Sequence, residues 1–77
     1  MNMSQFEPLE KMWGDLLSRV PDHVVMAFEK LDPESRINVV KHLKAMVIEK
    51  GWHIEQKKSA RIALKAIHSK FPEAPKS

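Results

Sequence analysis

Four histidines, His23, His42, His53 and His68, are the side chains of this 77-residue chain best suited to hold a metal or move a proton at neutral pH. A metal site on a helix needs two ligands at i, i+3 or i, i+4 and a third that faces them. No two of the four are so spaced, and Asn38, one turn before His42, makes a ligand pair in spacing alone. Capping or solvation accounts for each histidine. The six serines offer a nucleophile's hydroxyl, yet none stands in a nucleophile elbow or a Gly-rich turn. Asp22, Asp32 and Glu34 fall where helix starts favour negative charge, so capping explains them without catalysis. There is no Cys, which removes disulfides, thiolate metal sites and thiol chemistry together. The reading is of no catalytic, cofactor-binding or metal-binding residue, no cofactor, no small-molecule substrate and no enzyme.

Charge is the other chemistry to hand. Lys57, Arg61, Lys65 and His68 recur at i, i+4, i+8 and i+11, with Lys58 beside them, and form a basic ridge about 100° wide on a helix. The net charge of +3 is too small to specify a nucleic-acid partner by itself. Its distribution is more telling, since residues 54–77 carry six basic and two acidic side chains while residues 1–53 carry seven and eight. No aromatic residue interleaves the ridge and no Gly-rich phosphate loop accompanies it, so it is either a solvated cationic face or an anion contact.

The elements that must position these residues are helical. With no Thr, no Tyr and no Asn-Gly or Asp-Gly turn, strand signals are weak. Phe6, Leu9, Met12, Trp13, Leu16, Leu17 and Val20 fall within about 140° and predict a first helix over 8–19, with Pro8 at its first position in preference to a Ser4/Glu7 capping box. Arg19-Val20-Pro21 should break it, and Pro21 opens a second helix over 21–30 with Val24, Ala27, Phe28 and Leu31 on its apolar face. Asp32 as N-cap and Pro33 as first residue start a third helix that runs to Lys50, with Gly51 in the left-handed position after it. His53 as N-cap with Gln56 reaching back starts a fourth helix over 54–70, ended by Pro72 and Pro75.

These spans predict an all-α fold, a single domain that is a small compact four-helix bundle with two short N-terminal helices on a long antiparallel pair. Its core is read as Trp13, Leu16, Leu17, Phe28, Ile37, Val40, Leu64 and Ile67, with Trp52 under the turn between the third and fourth helices and residues 1–5 and 72–77 frayed. The third helix carries more apolar surface than one neighbour can cover. Ile37, Val40, Val47 and Ile48 form one stripe, and Val39, Leu43 and Met46 form a second at i, i+4 and i+7. The second stripe is either core or a protein interface, including one to another copy of the chain.

The stretch GWHIEQKKSARIALKAI, with the preceding LDPESRINVVKHLKAM, resembles short all-helical bacterial proteins that are uncharacterised. The resemblance covers roughly the C-terminal half and is carried by the Trp-His turn, Glu55-Gln56 and Ser59-Ala60. It implies a prokaryotic helical domain and brings no function with it.

The expectation is therefore a small, non-enzymatic, cytoplasmic protein-interaction or self-association module, its partner surface being Val39, Leu43 and Met46. The alternative is a nucleic-acid-binding accessory protein that uses Lys57, Lys58, Arg61, Lys65 and His68. The third and fourth helices could pass for a helix-turn-helix with Gln56, Ser59 and Arg61 as base readers, although the third helix is long for that motif. No run of apolar residues reaches the length of a membrane span, and the N-terminus lacks the pattern of a signal peptide, so no membrane partner is expected.

Overall fold

Pro21, Pro33 and the Gly51-Trp52-His53 turn divide the chain where the sequence places its breaks, and four helices result: α1 (Met3–Leu16), α2 (Pro21–Glu29), α3 (Pro33–Ile48) and α4 (Ile54–Lys70). The structure is a computed structural model that describes residues 3–73, with side chains from Glu10 onward. The Ser4 and Glu7 side chains, those of Phe6 and Leu9 in the first stripe, and the end segments 1–2 and 74–77 lie outside the described residues. Among the described residues there is no strand, and the fold is all-α.

Three boundaries differ from the sequence reading, each for a local reason. Helix α1 begins at Met3, so Pro8 is its sixth residue and not its first. The ring forfeits only the bond to the Ser4 carbonyl, while Met3, Gln5 and Glu7 are good helix formers that extend the first turns. At 14 residues α1 is also nearly as long as α3, so α2 alone is short, at nine. The same helix ends at Leu16, three residues early, because the Ser18 hydroxyl and N–H both donate to the Asp15 carbonyl (2.7 and 3.3 Å) and Arg19 turns into the left-handed region at φ 68°. Helix α3 ends at Ile48, two residues before the expected Lys50, with Glu49 extended, while Gly51 takes the left-handed conformation expected of it (φ 100°).

The starts of α2, α3 and α4 are as read. The Asp32 carboxylate accepts from the Ser35 N–H (3.2 Å) and hydroxyl (2.6 Å). His53 Nδ1 accepts from the Glu55 N–H (3.2 Å), while the Gln56 side-chain oxygen accepts from the His53 N–H (3.3 Å). Helices α2 and α3 carry no basic residue in their last turns, and a cation from the following helix serves each instead. Arg36 donates to the Phe28 and Glu29 carbonyls (3.2 and 2.9 Å), and Lys57 Nζ to the Val47 and Glu49 carbonyls (3.1 and 2.6 Å).

Those contacts also fix direction. Lys57, at the start of α4, lies on the end of α3, while Phe71, just past the end of α4, lies under the Arg36 guanidinium (5.3 Å) near the start of α3. The pair is antiparallel. Helix α1 packs on α2, and α2 on α4, and Trp13 of α1 meets His42 of α3 edge-on at 5.0 Å. Leu16, Val24, Phe28, Val40, Leu43, Met46 and Ile67 are the largest buried side chains between these layers. Trp13, Leu17 and Leu64 pack half-buried against that core, but Ile37 is 45% exposed and is no part of it. Its place is taken by Leu43 and Met46, because α3 turns its second stripe inward and leaves the ends of the first, Ile37 and Ile48, outside.

Candidate functional site

The stripe expected to meet a partner is interior. Val39, Leu43 and Met46 are 4%, 0% and 1% exposed, covered by α1, α2 and α4 within this one chain. Leu43 and Met46 offer no surface to another molecule, and Val39 only the little it shows in a cleft described below. All three join Ala60 and Ala63 of α4 in one buried cluster.

The basic ridge divides into residues that hold the fold and residues that face solvent. The Lys57 ammonium is committed to the α3 carbonyls and is half-buried. His68 is half-buried and has a partner within the chain. Lys58 is exposed and stands 3.8 Å from Glu55. Arg61 and Lys65 are exposed and form no ion pair among the described residues. The base readers of the helix-turn-helix reading are also occupied, since Gln56 caps α4 and the Ser59 hydroxyl is buried, accepting from Arg19 Nε (2.9 Å) and donating to the Glu55 carbonyl (3.1 Å).

Helix α3 adds to the ridge what sequence reading assigned to no site. At 100° per residue Ile37, Lys41, Lys44 and Ile48 fall in an arc of about 60°, and Ile54, Lys58, Arg61 and Lys65 fall in another of about 60° on α4. Each arc lies about a quarter-turn from the side on which the two helices touch, in the same rotational sense along its own chain. Antiparallel neighbours reverse that sense when seen from one end, so both arcs open on the same side, away from α1 and α2. The spacing i, i+4, i+7, i+11 on α3 was visible in the sequence; its union with the α4 ridge needed the packing. Among the described carboxylates, Glu34 adjoins the α3 arc and Glu55 stands 3.8 Å from Lys58. Glu55 lies at its edge, where a hydrogen bond from Arg19 (2.8 Å) and then the charge of Lys58 hold its carboxyl below the ordinary value.

The other side of α3 is aromatic. His42 stands edge-on between Trp13 (5.0 Å) and Trp52 (5.7 Å), and the Trp52 indole N–H donates to Glu49 (3.2 Å). Asn38 and His42 line an open cleft of about 390 Å³ with Met12, Trp13, Leu31, Ser35 and Val39. A second, of about 290 Å³, separates α1 from α2. His23 is exposed, and among the described residues no group of three His, Asp or Glu side chains could hold a metal. No helix among them is long and apolar enough to cross a membrane. Comparison of the chain with protein-family models, curated proteins and solved structures gives no match.

Proposed function

We propose that the protein is a small, non-enzymatic, cytoplasmic module that binds nucleic acid through the outer face of α3 and α4. The observation that carries this reading is the union of Lys41 with Lys58, Arg61 and Lys65 on one surface, with Arg61 and Lys65 exposed and bound to no carboxylate of the described chain. Such a surface attracts a polyanion through counterion release. Its test is retardation of nucleic acid by the purified protein at low salt, with Lys41→Gln/Arg61→Gln/Lys65→Gln compared. Binding by the wild type and its loss in a folded triple variant are expected. No retardation of any DNA or RNA at low salt would overturn the reading.

A second reading, contact with a protein, is favoured by Ile48 and Ile54, which are 73% and 62% exposed on either side of the α3–α4 turn. Self-association through this face is opposed by charge, because a two-fold contact would set the same cations against one another. An apolar protein contact is nearly indifferent to salt, and a phosphate contact is not.

A further inference from the structure

Resting on the nucleic-acid reading, we infer that the face takes a double-stranded helix by its phosphate backbone, without regard to sequence, and not a single strand. The first argument is where the rings are. Proteins that hold single strands stack the bases on aromatic side chains along a cationic groove. Here Phe28 is buried, Phe71 packs against it at 5.2 Å, and Trp13 and Trp52 close on His42. His42 lies about 130° round α3 from the centre of the Ile37–Lys41–Lys44–Ile48 arc. An unpaired base laid on the cationic face therefore meets lysine, arginine and isoleucine, and no phenylalanine or tryptophan ring.

The second argument is what remains to read a base edge. Gln56 and Ser59 are engaged within the fold, and Asn38 lines the cleft on the α1 side. Arg61 alone could address a base, which is too little for a sequence code. What the face does offer is charge on a rigid frame. Lys58, Arg61 and Lys65 rise along α4 in steps of about 4.5 and 6 Å, with Lys41 on the antiparallel neighbour about 8–10 Å across. A duplex matches this better than a flexible strand, since it carries one charge per about 1.7 Å of axis in two fixed rows and loses no chain entropy on docking.

Fluorescence anisotropy with a labelled duplex DNA of about 20 base pairs, its two strands separately, and a duplex of unrelated sequence tests this at about 50 and 200 mM salt. The two duplexes should bind alike and more tightly than either strand. With Lys41, Lys58, Arg61 and Lys65 engaged, duplex affinity should fall by about 100-fold between the two salts, and each Gln substitution should flatten the log–log slope by about 0.9. Tryptophan emission should not change on binding, because Trp13 and Trp52 lie on the far side of α3. Single strands bound as tightly as duplex, or tryptophan emission quenched by either, would overturn the inference while leaving nucleic-acid binding in place. Affinity that differs widely between the two duplexes would overturn its backbone-only character. Binding of none of the probes would overturn the underlying reading itself.

Discussion

Leu43 has no exposed surface and sits in the stripe that sequence alone leaves open between core and interface, so it separates those roles cleanly. Removing three side-chain carbons there, the methine and its two methyls, leaves a cavity in the buried cluster. Leu43→Ala should lower stability by about 2–5 kcal/mol, read from urea unfolding. A carboxylate in the same place has neither water nor a cation to meet it, and Leu43→Glu should be unfolded by circular dichroism. A folded, monomeric Leu43→Glu protein would return this stripe to the surface. Ile37 makes the opposite case: at 45% exposure its truncation should cost little. The sequence could not rank these two residues, because both are apolar at helical spacing and only the packed molecule shows which side of α3 turns in.

At the scale of elements, the starts of α2, α3 and α4 and the end of α4 were legible, whereas the start of α1 and the ends of α1 and α3 were not. Asp32, His53 and the prolines act on their own helix within one turn, so spacing along the chain suffices to find them. The ends of α2 and α3 depend on Arg36 and Lys57, donors from the next helix, which only the packed molecule brings into place. Within the ridge Lys57 was misplaced for the same reason, as spacing shows that it shares a face with Arg61 but not that its ammonium is spent on carbonyls. The α1–α2 turn shows this coupling most sharply. Arg19 holds φ 68°, a conformation costly for any residue with a Cβ, and its guanidinium spans from that turn to Ser59 and Glu55 of α4 (2.8–2.9 Å). Both Arg19→Gly and Arg19→Ala lose the latch, but only glycine relieves the backbone. Thermal unfolding should therefore place Arg19→Ala below Arg19→Gly by about 1 kcal/mol, the reverse of the usual order of these two residues. Ala equal to or above Gly would show that the turn relaxes once the latch is gone.

The whole molecule has a radius of gyration of 12.2 Å, close to the roughly 11.5 Å expected for a compact domain of this length. One layer, α1 with α2, is tied to the other by the buried cluster and at one edge by the Arg19–Glu55 pair. Acid acts on that tie and on the start of α3 together. Bonds from the Ser35 hydroxyl and N–H hold the Asp32 carboxyl below its ordinary value of 3.8, and Arg19 followed by Lys58 holds Glu55 below 4.5. Both groups are thus more acidic folded than unfolded, so the fold favours their charged forms. The stability they give is complete above those ordinary values and is lost as pH falls through the lower folded ones. The urea midpoint should hold level from neutral pH to about pH 5 and then decline toward pH 3. Asn keeps the capping oxygen at position 32 and Gln keeps an acceptor for Arg19, yet neither titrates. Asp32→Asn/Glu55→Gln should accordingly be somewhat less stable at neutral pH and flatter on the acid side, the two proteins converging as pH falls. An acid decline as steep in the double variant as in the wild type would place the proton-sensitive contacts elsewhere in the chain.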